Sequence, residues 1–278
     1  MLSFIDSVAV SNRPRLVRCA LVAFVTSLYI GLGFLFRPDA NSYLLLGIPI
    51  TVVFQVFIAR RPLRELWLRR GLAMQFDRWT ALWLLLFLIG PIQAIVNGIR
   101  YGNWPVAIYG MAAIMGAVGA AFAFRVLGAA NLRRLSLWFL LTIPIGIVLV
   151  LIRRSVPGVA LHGLAFVPRL WTEVQSLLFY VPSVFVVEEV FFRGALDSYL
   201  HRDEQGTGWV SAAYVSVLWG LWHMPIVGSL SVKLVLALIV VQLFLGLILS
   251  WLWRKTGNLA MCGTLHAIID SLRNALMA

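Results

Sequence analysis

The chain has 278 residues, of which 61% are hydrophobic and 12% are charged, and its net charge is +12. Soluble globular domains have about a quarter of their residues charged, so this composition excludes an ordinary soluble domain and indicates a protein whose main solvent is lipid. The basic residues lie between apolar runs and form no single stripe, so they indicate membrane topology and contact with anionic lipid. We therefore expect the lipid bilayer, and no nucleic acid, as a partner.

Long apolar runs recur from one end of the chain to the other, and a spanning helix needs about 20 predominantly apolar residues. The sequence predicts an all-α fold, a polytopic membrane helix bundle of about eight to nine transmembrane helices in a single transmembrane domain, 1–278. The predicted spans are residues 16–36, 42–59, 79–98, 104–124, 136–152, 174–200, 209–227, 232–253 and 258–277.

Two spans that contain a proline are candidates for irregular segments: 42–59, which is short and carries Pro49, and 136–152, which carries Pro144. A proline inside a spanning helix favours a kinked, tilted or re-entrant segment. The fourth span instead carries small residues at four-residue spacing around Gly116, a pattern that lets helix backbones approach closely.

The distribution of basic residues predicts the orientation. When the N-terminus is placed in the cytoplasm and the spans alternate, most of the 23 Lys and Arg residues fall at cytoplasmic ends. The expected location is an integral membrane position, in the bacterial inner membrane, with a cytoplasmic N-terminus.

Ionisable residues inside the spans are concentrated in the last four, and they define a motif-bearing core over 174–277. Such groups are costly in lipid, so each is a functional candidate. Glu188 and Glu189 are adjacent, and Arg193 follows Glu189 by four residues, so Glu189 and Arg193 share a helical face and can pair. Glu188 points about 100° away around the helix. We interpret Glu189 as an orienting acid and Glu188 as the reactive one; two helix-to-helix anchors are the alternative.

Two further pairs repeat the four-residue spacing on the following spans. Trp219 and His223 share one face, so the indole can pack on the imidazole. His266 and Asp270 share another, where the carboxylate can fix the imidazole tautomer. The remaining histidines, His162 and His201, lie in predicted connections, are expected to be solvated, and receive no role.

These three segments together resemble the family of CAAX prenyl endopeptidases and bacteriocin-processing proteins, also called the Abi family, which are glutamate-type intramembrane proteases. The family pattern is Glu-Glu-x-x-x-Arg, an aromatic-x-x-x-His and His-x-x-x-Asn or Asp on successive helices. The matching segments here are Glu188-Glu189-x-x-x-Arg193, Trp219-x-x-x-His223 and His266-x-x-x-Asp270, within 180–275.

The resemblance implies an intramembrane endopeptidase acting on a peptide or protein, for example on its C-terminal segment. It implies that Glu188 and His223 activate a water, that His266, with Asp270, stabilises the oxyanion, and that Glu189, Arg193 and Trp219 orient the site. Trp219 stands where the family usually has Phe, and Asp270 where it often has Asn. An ionised carboxylate cannot donate to an oxyanion, so Asp270 acts either in its protonated form or by orienting His266.

Alternatives to this interpretation remain open at the level of sequence. His223 and His266, with either Glu188 or Asp270 as the carboxylate, could form a zinc site. We nevertheless expect no cofactor, because the chain lacks a His-Glu-x-x-His helix. Buried Glu, His and Arg also occur in proton-coupled transporters. A non-catalytic immunity or scaffold protein of the same fold is the remaining alternative.

Overall fold

A computed structural model describes residues 13–69, 72–127, 133, 166–201, 208–227 and 231–277. The predicted span 136–152 and His162 lie outside these residues. The described helices are α1 (Arg15–Phe36), α2 (Ala40–Ile58), α3 (Arg78–Arg100), α4 (Trp104–Val126), α5 (Phe166–Val184), α6 (190–200), α7 (Trp209–Val227), α8 (Val232–Thr256) and α9 (Leu259–Met277).

The prediction of an all-α, polytopic membrane protein is confirmed. Six helices, α1 to α4, α7 and α8, are long and apolar enough to cross a bilayer, and α9 carries a shorter apolar stretch, Leu259–Leu272. Within the described ranges no β-strand occurs, and Leu68 and Asn258 form one isolated antiparallel bridge.

The predicted single span 174–200 is wrong, because the chain forms two helices there. Pro182 lies inside α5 and cannot donate a backbone hydrogen bond to the preceding turn. The α-helix ends at Val184, and the Val186 N–H donates to the Ser183 carbonyl at 3.1 Å in a tighter turn. The helix that follows is a π-helix over Val190–Asp197 and an α-helix over Ser198–Leu200.

The described residues form two compact units, the first made of 1–72 and 187–259 and the second of 73–186 and 260–278. The first unit contains α1, α2, α6, α7 and α8, with an aromatic core of Tyr29, Tyr43, Phe191, Phe192 and Trp222. Their ring centroids lie about 5 Å apart, for example 5.3 Å between Tyr43 and Trp222. The Tyr43 hydroxyl also donates to the Trp222 carbonyl at 2.9 Å, which ties α2 to the end of α7.

The second unit contains α3, α4, α5 and nearly all of α9. The small residues predicted to pack around Gly116 are largely buried in α4, and a Cβ at Gly116 would overlap the Pro182 carbonyl of α5. Asp77 caps α3 by accepting from the Trp79 and Thr80 N–H groups at 3.0 Å. The backbone hydrogen bond from Thr80 and the Arg125 guanidinium hold the pKa of the Asp77 carboxyl below its usual value.

Candidate active site

The paired acid, Glu189, directly precedes α6, in the first unit. Arg193 Nε is 3.4 Å from Glu189 Oε2, and both side chains are 0% exposed. The contact predicted from the four-residue spacing is therefore present. It forms where the helix follows the π pattern, which appears most often as short segments near functional sites. A buried carboxylate and a buried guanidinium each need this partner, since an unpaired buried charge is strongly destabilising.

Trp219 of α7 joins this pair to the second acid. The Arg193 guanidinium carbon lies 4.7 Å from the centroid of the Trp219 ring, within the range of a cation–π interaction. The same indole donates its Nε1–H to Glu188 Oε2 at 3.0 Å. Sequence reasoning assigned Trp219 a packing and orienting role and missed this hydrogen bond, although the indole N–H is a donor that Phe lacks.

His223, at the break within α7, faces the same carboxylate. Its Nδ1 lies 2.8 Å from the Trp219 carbonyl oxygen, and a carbonyl can only accept, so Nδ1 carries the hydrogen. The other nitrogen, Nε2, lies 3.9 Å from Glu188 Oε2. The two side chains are 19% and 14% exposed, in contrast to the fully buried Glu189 and Arg193.

Gln242 of α8 is a further site residue that sequence reasoning did not identify. Its Nε2 lies 3.4 Å from His223 Nε2. The sequence search considered ionisable groups only, and Gln242 is uncharged. The available signal was an amide within the otherwise apolar stretch 234–249 of α8, because any polar group at membrane depth needs a partner.

The C-terminal end of α6 is fixed by ionic and polar contacts. Asp197 is fully buried and binds Arg254 of α8 through both carboxylate oxygens. Arg18 of α1 donates to the carbonyls of Tyr199 and Leu200 at 3.1 and 3.3 Å, and Arg61 donates to that of Ser198 at 2.9 Å. Arginines at this position satisfy the last helix carbonyls and oppose the helix dipole.

Several basic residues assigned to topology therefore also anchor the helix that follows Glu188. His201 was expected to be solvated in a connection between helices. That expectation is wrong, because His201 is only 7% exposed.

His266 and Asp270 lie on α9, in the second unit. His266 Nε2 is 3.5 Å from Asp270 Oδ2, and the side chains are 6% and 13% exposed. The neighbouring Ser271 hydroxyl donates to Glu173 Oε1 of α5 at 2.8 Å. The spacing-based pairing of His266 with Asp270 is thus present. The roles that the resemblance implies for Glu188, His223, His266 and Asp270 require one shared cavity, and that arrangement stays a prediction.

Residues 170–272 match the family model described as type II CAAX prenyl endopeptidase Rce1-like. No curated protein and no solved structure matches the chain. The matched segment contains all three motifs, so the resemblance predicted from them is confirmed, and it supports an intramembrane protease-type function acting on a peptide or protein substrate.

Proposed function

We propose that this integral membrane protein, with its Rce1-like CAAX endopeptidase segment at 170–272, is an endopeptidase in which Glu188 and His223 activate the attacking water. One observation carries the proposal: Glu188 Oε2 and His223 Nε2 approach to 3.9 Å from different helices. That distance is too long for a direct hydrogen bond and short enough for both atoms to reach one water.

Hydrogen bonds from Trp219 set the tautomer of His223 and the orientation of the Glu188 carboxylate for activation of the water. The Trp219 carbonyl holds the Nδ1–H of His223, so a neutral ring offers its Nε2 lone pair as an acceptor. The Trp219 indole restrains one oxygen of Glu188 and fixes the carboxylate against rotation. Holding reacting groups in place in advance removes part of the entropic barrier.

The reaction would proceed by addition and elimination. The water oxygen forms a bond to the scissile carbonyl carbon while one of its O–H bonds breaks, and the proton passes to Glu188 or His223. The carbonyl π electrons move onto oxygen and form the oxyanion. The oxyanion electrons then re-form the carbonyl as the C–N bond breaks, the leaving nitrogen takes the proton back from Glu188 or His223, and the products are a carboxylic acid and an amine.

The roles of His266 and Asp270 in the proposal come from the family resemblance. His266, with both ring nitrogens protonated, would donate its Nδ1–H to the oxyanion, and Asp270 would orient the ring by accepting from Nε2–H, which lies 3.5 Å from Oδ2. In this proposal Asp270 can replace the Asn that the family often has at this position, because an ionised carboxylate accepts from His266 and needs no donor of its own.

The proposed substrate is a membrane-associated peptide or protein cut near its C-terminus. This follows from the CAAX specificity in the description of the matching family, since a CAAX sequence is a C-terminal one. The proposal also includes catalysis without a metal and the inner-membrane orientation with a cytoplasmic N-terminus.

The test uses the full chain reconstituted in liposomes, with a farnesylated, internally quenched peptide ending in a CAAX sequence as the probe. We expect cleavage at one bond, identified by mass spectrometry of both products. His223→Ala and Glu188→Gln should each remove nearly all turnover, and the double variant should be little slower than either, because residues that act as a unit are non-additive.

Other outcomes would select the alternative functions. Proton flux across the liposome membrane without cleavage of any probe would favour a transporter. Absence of both activities in folded protein would favour a non-catalytic partner. Additive losses in the double variant would mean that Glu188 and His223 do not act on the same water.

A further inference from the structure

The inference concerns Gln242, which lies where α8 packs closely on α7. A Cβ at Gly220 of α7 would lie only 2.8 Å from the Cα of Ile239 of α8, so the glycine permits this close approach. Gln242 follows Ile239 by three residues and therefore lies on the same helical face. This placement brings its side chain to His223, the residue that follows the first segment of α7.

The orientation of the Gln242 amide follows from the state of the imidazole. Nδ1 of His223 carries the hydrogen, so Nε2 of the neutral ring is an acceptor and must be faced by a donor. The Gln242 NH₂ group meets this need at 3.4 Å. The amide oxygen, Oε1, is then buried, and no residue in the described part of the chain donates a hydrogen bond to it.

An unpartnered buried amide oxygen costs free energy, and an apolar side chain of the same shape would avoid that cost. A half-turn of the amide exchanges its nitrogen and oxygen without moving the rest of the side chain. In the rotated amide, Oε1 faces Nε2. If Nε2 is unprotonated, two acceptors face each other and the contact is unfavourable; if Nε2 carries a proton, Oε1 accepts from Nε2–H.

We infer that Gln242 is a positioning residue for His223: its amide donates to Nε2 in the resting site, yields that lone pair to the attacking water when substrate binds and, after rotation, accepts from Nε2–H once His223 holds the proton. In both states the imidazole keeps a partner on each ring nitrogen, with the Trp219 carbonyl on Nδ1. The ring is thus held with Nε2 towards Glu188 throughout the cycle.

This inference rests on the proposed function for its catalytic consequence, but its structural content can be tested without any substrate. The chain has four histidines, so protein labelled with ¹⁵N-histidine gives few resonances, and those lost in His223→Ala belong to His223. We expect His223 to show a protonated Nδ1 and an unprotonated, hydrogen-bonded Nε2.

Gln242→Met keeps the length of the side chain and removes both hydrogen-bonding groups. The Nε2 resonance of His223 should move to the position of a nitrogen that accepts no hydrogen bond. Gln242→Glu offers acceptors only, so Nε2 should become protonated. The matched control is Gln55→Met, because Gln55 is a buried glutamine whose amide donates to the Pro62 carbonyl at 3.2 Å; it should leave the His223 resonances unchanged.

Turnover of the farnesylated peptide provides the second measurement. Gln242→Met should lower kcat by about ten- to hundredfold, the range typical for loss of a group that orients a functional histidine from behind. KM should be unchanged, because Gln242 contacts His223 and not the substrate. Gln242→Glu should also have a lowered kcat, because a protonated Nε2 cannot accept from the water; full kcat in Gln242→Glu would overturn the donor role of the resting amide.

The outcomes separate this inference from the proposed function. Unchanged His223 resonances in Gln242→Met, or full kcat in that variant while Glu188→Gln is inactive, would overturn the role of Gln242 and leave the peptidase intact. Peptidase inactivity of the unsubstituted protein, together with the expected ¹⁵N shifts, would reject the function and retain the contact. If Gln242→Met fails to fold, a Gln242→Glu protein with unprotonated Nε2 would also overturn the inference.

Discussion

Glu188→Gln is the substitution that separates the reactive acid from a structural one. Glu188 accepts one hydrogen bond from the Trp219 indole, at 3.0 Å, and its side chain is 14% exposed. Glutamine has the same shape and keeps an oxygen for that bond, but it cannot take up the proton of the water. The variant should therefore fold and lose catalysis.

The loss of stability and the loss of catalytic rate expected for Glu188→Gln differ in size. A hydrogen bond to a charged group contributes about 1.5–3 kcal/mol and a neutral one about 0.5–1.5 kcal/mol, so the variant should lose about 1 kcal/mol of stability. Loss of a general base lowers the rate by about a hundred- to ten-thousandfold. That corresponds to about 2.7–5.4 kcal/mol in the activation barrier, well above the expected loss of stability.

The assay is cleavage of the farnesylated peptide by proteoliposomes at matched protein concentration, with thermal unfolding measured on the same samples. Glu65→Gln is the control, since it makes the same chemical change in the turn Leu63–Leu66 of the first unit, and it should retain full turnover. If Glu188→Gln keeps more than about a tenth of the turnover with an unchanged unfolding temperature, Glu188 is not the base.

Further substitutions test the surroundings of the site. Glu189→Ala should destabilise the protein by about 3–5 kcal/mol, because it leaves the buried Arg193 unpaired; normal expression and full activity would contradict the paired-acid interpretation. Gly246→Ala should also destabilise it, since a Cβ there would overlap the Ser216 side chain, and an unfolding temperature equal to that of the unsubstituted protein would reject this packing. Asp270→Asn should be mild, because the amide restores the commoner family residue and can itself donate; a loss of turnover as large as that of Glu188→Gln would point to a carboxylate metal ligand. Chelation should leave turnover intact, and one zinc per chain, lost with the activity and regained on re-addition, would replace water activation by Glu188 and His223 with metal catalysis.

The fold class and the contacts within each motif followed from sequence because both depend on short-range periodicity. Apolar runs predict spans, and residues four apart on a helix are neighbours whatever surrounds them. Glu189 with Arg193 and His266 with Asp270 are contacts of this kind.

The features that the sequence did not predict depend on contacts between helices. Hydropathy continues through the region around Phe185, so the end of α5 and the π-helical course of α6 are invisible to an apolar-run criterion. Gln242 reaches His223 only because Gly220 lets α7 and α8 approach closely. Arg254 was assigned to topology, yet it binds the buried Asp197, and no local spacing connects residues so far apart in the chain.

Trp219 explains how two adjacent acids come to differ. Its ring face covers the Arg193 guanidinium, which is paired with Glu189, so that acid is neutralised in a fully buried contact. Its Nε1–H donates a hydrogen bond to Glu188, and because the indole is uncharged this acid has no ion-pair partner in Trp219, while its Oε2 lies 3.9 Å from His223 Nε2. A phenylalanine would supply the ring face alone. The tryptophan therefore adds a physical distinction between the orienting and the reactive glutamate, on which the division of roles in the proposed reaction depends.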